Sequence, residues 1–137
     1  GKVITAAGFV EFMKANAAFL SSVGIFFPFL ISAILKTAQG SSTVAITTTA
    51  GIMGMYTDSA SMMSALGLQS EMAALLTVMA IGAGAMTVSH ANDSYFWVVT
   101  NFTGLDPQDG YRTQSMMTLV VGIVSMVSIF LASLVLL

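Results

Sequence analysis

The sequence predicts an all-α membrane protein made of transmembrane helices, one folded as a re-entrant helical hairpin and one broken at mid-length. Three observations carry that reading. The 137 residues are 56 % hydrophobic and only 7 % charged, with a mean hydropathy of +0.91, whereas a soluble domain carries roughly 25 % charged residues to cover its surface. Uncharged runs recur at residues 17–35, 44–56, 72–88, 95–102 and 115–137, each bounded by charge or by small polar residues. Two of the boundaries are polar knots inside otherwise apolar regions: Gly40, Ser41, Ser42 and Thr43, then Ser89-His90-Ala91-Asn92-Asp93-Ser94. Polar groups at such depth are costly unless paired or lining a cavity.

Residues 1–16 interleave Lys2, Glu11 and Lys14 with Val3, Ile4, Phe9, Val10, Phe12 and Met13. That pattern predicts an amphipathic helix, lying in the interface or ending a helix that begins earlier. The chain opens on Gly1 with neither an initiator methionine nor a short basic-then-apolar signal, and the expectation is a processed or truncated product, a fragment of a longer protein.

Residues 17–35 form an uncharged run of about 28 Å as a helix, close to hydrocarbon thickness. Pro28 is expected to kink it or to free a backbone carbonyl, and Lys36 ends it. The next run, 44–56, is too short to cross alone. Two apolar arms around a glycine-serine tip predict a re-entrant hairpin over 17–57 with its tip at 40–43. One full span followed by an interfacial helix is the other reading.

Residues 57–70, with Asp58, four serines and Gly67, read as an aqueous connection. A helix over 72–102 broken at 89–94 follows, with Ala80 and Gly84 at the spacing that lets helix backbones approach closely. Glu71 and Arg112 are expected at membrane–water boundaries. Residues 104–112 contain Asp106-Pro107 and Asp109-Gly110 and predict an aqueous loop. Residues 115–137 are the final span, on which Ser128 and Ala132 read as a packing face. The whole chain reads as a single transmembrane domain, and its four basic residues are too few to fix an orientation.

Composition excludes several chemistries. There is no cysteine, hence no disulfide and no thiolate site. Net charge is −2 with the basic residues scattered, so there is no footprint for nucleic acid. One histidine and one aspartate three apart fall short of a metal site, no nucleophile elbow supports a hydrolase, and no cofactor or catalytic residue is expected.

The two knots remain as the site. If a half-helix opens near Val44, its first N–H groups are unsatisfied and carry partial positive charge, which suits a carboxylate without a lysine. Ser41, Ser42 and Thr43 add hydroxyl donors and Gly40 permits the turn; ordinary helix capping explains the same residues. In the second knot Asn92, Asp93 or Ser94 could cap a half-helix starting near Tyr95, whose N-terminus could face an anion. His90 is a candidate proton carrier. Asp93 is a second one, because burial of a carboxyl group favours its protonated form. A capping aspartate and a structural histidine are the alternative. The order of hairpin, broken helix and final span is one half of an inverted-repeat transporter.

Residues 38–45 (Ala-Gln-Gly-Ser-Ser-Thr-Val-Ala) and 89–97 (Ser-His-Ala-Asn-Asp-Ser-Tyr-Phe-Trp) resemble the gluconate permease family of proton symporters, within the wider ion-transporter superfamily. The resemblance runs across nearly the whole chain and corresponds to roughly the last third of a family member. It implies a multi-pass carrier of the bacterial inner membrane that imports gluconate or a related hydroxy acid with protons. Carried over by position, Ser41, Ser42 and Thr43 at the Gly40 tip would hold the substrate carboxylate, and Asn92 and Ser94 would meet its hydroxyls. His90 or Asp93 would handle the proton. Tyr95 departs from the family, where glycine is expected in many relatives, and its bulk would narrow the pocket. The implied partners are the hydroxy-acid anion, protons, the lipid bilayer and the missing N-terminal repeat, with homo-oligomerisation left open. The competing class is a structural or assembly subunit whose polar breaks only pack against partner helices.

Overall fold

The computed structural model describes residues 23–137. The amphipathic helix expected over 1–16 and the start of the 17–35 run lie outside the described residues. Helix α1, Phe26–Gln39, begins just after Gly24, whose φ is +49° and whose carbonyl accepts from the Phe27 N–H at 3.1 Å. Pro28 is the third residue of this helix, where a backbone N–H would have no partner in any case. Pro28 therefore sits in the first turn of α1, and most of the run that precedes it lies outside the described residues.

Gly40 ends α1 in the left-handed region at φ 71°, its N–H donating to the Lys36 carbonyl at 2.8 Å. One residue later α2, Ser42–Met53, begins: the Ser41 Oγ accepts from the Val44 N–H at 3.3 Å, an ordinary N-cap. The chain reverses over two residues, and α2 packs back against α1.

The connection after α2 is not simply aqueous. It holds a one-turn helix, α3 (Met62–Ala65), and buries Met62, Met63, Leu66 and Leu68 in the same core as Ile25, Phe27 and Leu76. Four apolar side chains scattered among the serines and turn residues escape a reading based on polar composition, yet each gains from leaving water.

Helix α4, Glu71–Met86, is the hub, touching α1, α2 and α7. A Cβ at Gly84 would run into the Phe29 carbonyl oxygen, the Ser32 side chain and the Ala33 nitrogen. Ala80 is fully buried, and the Ser32 Oγ donates to the Ile81 carbonyl at 2.8 Å. The small residues read from the sequence thus admit α1 to near backbone contact.

The chain leaves helix at Thr87 and resumes as α5, Ser94–Thr103. The expected loop at 104–112 is shorter than predicted. Pro107 opens a helical turn, α6 (Pro107–Gly110), which runs through a π-helical turn, Tyr111–Ser115, into α7, Met116–Leu136. Asp109-Gly110 is not a turn because Gly110 serves as a contact: a Cβ there would meet the Thr100 and Phe96 side chains of α5. Pro107–Leu136 is the one described helix long and apolar enough to cross a membrane, while α1, α2 and α4 are apolar but shorter. The described residues contain helices and no strand.

Candidate functional site

The two polar interruptions meet. A Cβ on Gly40 would collide with the main-chain carbonyl of Asn92, so the tip between α1 and α2 lies directly on the break between α4 and α5. A β-carbon is excluded both by this contact and by the positive φ.

An ion pair locks the same junction. The Lys36 Nζ lies 2.5 Å from the Asp93 Oδ2, with the residues 2 % and 3 % exposed. The Ser89 Oγ donates to the same Oδ2 at 2.6 Å, and the Tyr95 N–H donates to Oδ1 at 3.1 Å. Asp93 is therefore both the N-cap of α5 and the counter-charge of α1. Among the described residues Lys36 has one further contact, a long 3.4 Å bond to the Gly40 carbonyl. An ammonium has three donors, so the described residues do not use all of its capacity.

The end of α1 is finished by the break. Thr37 belongs to the last turn, where helix carbonyls lack intrahelical partners. Its carbonyl accepts from the Asn92 Nδ2 at 2.7 Å and from the His90 Nε2 at 3.0 Å. Since a carbonyl can only accept, this ring nitrogen carries the proton. From the other side α7 and the π-helical turn before it grip the break: the Ser89 N–H donates to the Thr118 Oγ1 at 2.9 Å, and the Ser115 Oγ donates to the Ser89 carbonyl at 2.5 Å. Gly122 leaves no room for a Cβ against Thr87.

Lys36, Ser42, Ser89, Asp93, Tyr95 and Thr118 line a cavity of about 260 Å³ together with Met86. Ligand pockets usually start near 300 Å³, so this volume suits part of a site better than a whole one.

Of the candidate site residues read from sequence, Ser42 and Asp93 reach this cavity, and Tyr95, whose bulk was expected to narrow the pocket, lines it too. Gly40 and Asn92 form the contact beneath it, His90 binds Thr37, and Ser41 is spent on the α2 cap. Thr43 and Ser94 are exposed and do not line it. The α5 N-terminus, expected to face an anion, is already occupied by the carboxylate of Asp93. Sequence reasoning missed Lys36, which it took only as the end of an apolar run. The available signal was a lone cation four residues before the tip with no charge between them. Thr118 gave no signal, being one hydroxyl on an apolar helix. Among the described residues no group of three or more His, Cys, Asp or Glu comes together to hold a metal.

The described residues, helical with one helix of membrane length and a buried ion pair where two others are interrupted, have the build of a membrane permease. The chain belongs to the GntP permease family, whose profile matches residues 1–135. It is 38 % identical over 94 residues to the inner membrane permease YgbN of Escherichia coli (strain K12), covering 69 % of this chain and 19 % of that protein. It is 35 % identical over 112 residues to a gluconate permease of Pseudomonas aeruginosa, covering 82 % of this chain and 23 % of the relative. With the low-affinity gluconate transporter of Escherichia coli (strain K12) it shares 33 % identity over 96 residues, 70 % of this chain and 20 % of the relative. These relatives are named as carriers, not enzymes. The matched stretch spans about a fifth of the length of these relatives. No solved structure matches it.

Proposed function

We propose that this chain contributes one half of the transport site of a proton-coupled symporter for gluconate or a related small hydroxy carboxylate. The observation that carries the reading is the junction of the two polar interruptions, with Ser42 and Asp93 on a shared cavity beside a buried lysine. Support for the substrate comes from the relatives named as gluconate carriers. In this reading 17–57 is a re-entrant hairpin with its tip at 40–43, and 72–102 is a helix broken at 89–94. Residues 115–137 contain the final span. The carrier is multi-pass in a bacterial inner membrane, and an inverted repeat elsewhere in it completes the site.

Ser42 and the free N–H groups at the start of α2 meet the substrate carboxylate. Ser41 and Thr43 keep that helix end in place, Gly40 and Asn92 hold the tip against the break, and Ser94 serves at the rim. Asp93 exchanges the proton, and His90 relays it or steadies Thr37.

The test is uptake of labelled gluconate, driven by a proton gradient, in cells making the complete carrier. Saturable uptake that collapses when the gradient is dissipated is expected, and Ser42→Ala should remove most of it at normal membrane levels. Wild-type uptake by Ser42→Ala would sink the site assignment, and uptake indifferent to the gradient would sink the coupling.

A further inference from the structure

We infer that Lys36 is the substrate's cationic partner and that its pairing with Asp93 is an exchangeable latch, broken when one proton and one carboxylate enter together. This deepens the reading above and rests on it. Lys36 is a cation with almost no exposure to water, it lines the cavity beside Ser42, and its second protein acceptor is distant at 3.4 Å. The other described cation, Arg112, is on the surface.

Charge conservation in a buried site gives the mechanism. The resting pair, Lys36 ammonium and Asp93 carboxylate, is neutral. Adding a substrate carboxylate alone would leave a net negative charge in a poorly solvated place, which is expensive. Adding it with one proton restores neutrality. A proton from the aqueous phase adds to Asp93, and the ion pair opens. The substrate carboxylate takes the vacated position on Lys36. When both leave on the other side of the membrane, Asp93 is again a carboxylate and the pair recloses. One anion and one proton have moved, and no charge has been stranded.

The surroundings permit this exchange. Ser89, whose hydroxyl donates to the Asp93 Oδ2, can turn and accept from the protonated acid. Its own position is fixed by Thr118 and Ser115, so it acts as a positioning residue. The Tyr95 N–H stays on Oδ1 and keeps α5 capped. Among the described residues, the groups facing Asp93 from neighbouring elements are Lys36 from α1, Ser42 from α2, Tyr95 from α5 and Thr118 from α7. His90, the nearest other titratable side chain in the break, is engaged with Thr37. Among the described residues no second acid pairs with Lys36.

The experiment uses the complete carrier in vesicles, with two readouts: gluconate–gluconate exchange without a gradient, and accumulation driven by a proton gradient. Lys36→Gln should weaken the apparent affinity in exchange by about 10- to 150-fold, the loss of one hydrogen bond to a charged group. Asp93→Asn should uncouple the two readouts, leaving exchange measurable while accumulation falls to equilibration. Lys36→Gln/Asp93→Asn keeps a hydrogen-bonding pair without charge and controls for folding. It should insert normally and fail in both readouts. Wild-type exchange affinity in Lys36→Gln or in the double variant overturns the inference, as does concentrative uptake by Asp93→Asn. A wild-type carrier that moves no hydroxy carboxylate overturns the transport reading and this one together. Wild-type transport with an unaffected Lys36→Gln overturns this one alone.

Discussion

Gly40→Ala is the most direct test of the junction. Two separable costs are expected. An L-residue held at φ +71° pays roughly 1–2 kcal/mol for the left-handed conformation. The added methyl group also enters the space of the Asn92 carbonyl, a backbone atom that cannot turn aside. Overpacking of that kind typically costs about 1–3 kcal/mol. The sum is about 2–5 kcal/mol, enough to part the tip from the break. Gly67→Ala is the internal control, since φ there is +74° and nothing lies within 4 Å of the new methyl. Its cost should be the conformational part alone.

The assay is thermal unfolding of the complete carrier in detergent, paired with amine labelling of Lys36 read by mass spectrometry. In the wild type Lys36 is shielded. Gly40→Ala should melt below Gly67→Ala and should open Lys36 to the reagent, while Gly67→Ala should leave it protected. Equal melting of the two variants, with Lys36 shielded in both, would refute the close approach of Gly40 to Asn92 and the site built on it.

Three further outcomes follow from the packing. Gly84→Leu drives a branched side chain into the Phe29 carbonyl and Ala33 of α1, and should cost at least the ~1–3 kcal/mol of an overpacked core; normal membrane levels and melting would contradict the backbone contact. Gly110→Ala meets only the Phe96 and Thr100 side chains, which can yield, so its loss of melting temperature should be smaller than for Gly84→Leu; the reverse ranking would count against the α5–α6 contact. Lys36→Met strands Asp93 in the interior and should cost about 3–5 kcal/mol, whereas Lys36→Met/Asp93→Leu should recover most of it. A double variant as unstable as the single one would show that the two charges do not compensate each other.

The helices themselves were legible in the sequence because apolar runs bounded by glycine, serine and aspartate carry their own start and stop signals. Gly40-Ser41 closes one helix and caps the next, and Asp93 caps α5, all from local chemistry. The contact of Ala80 and Gly84 was readable as spacing, although its partner α1 was not. What escaped reading was set by distant contacts. Lys36 and Asp93 are 57 positions apart, and nothing local marks the lysine as buried. Gly110 resembled a turn residue because a glycine needed for clearance looks the same as one needed for φ. Met62, Met63, Leu66 and Leu68 were hidden in a polar stretch because burial depends on what lies above them.

The distribution of polarity then explains why this arrangement suits a permease. Large apolar side chains line the outside: Val124, Leu131 and Leu134 on α7, Val78 on α4 and Phe102 on α5 are all well exposed. Ser32, Lys36, Thr77, Ser89 and Asp93 are inside. In water this would forgo roughly 25 cal/mol for every Å² of apolar surface left uncovered, so the outer faces call for an apolar covering. The inner groups must satisfy one another, and most do. Among the described residues only the Thr49 and Thr77 hydroxyls and the Gln114 amide nitrogen are buried without a partner. The lysine, the aspartate and Ser89 are joined in one network, and that network lies where α1 ends and α5 begins. A polar interior sustained this way can hold a charged solute's counter-ion in readiness. The interruptions place it: Lys36 reaches out from the last turn of α1, and Asp93 stands at the N-cap of α5, where the chain has left helix.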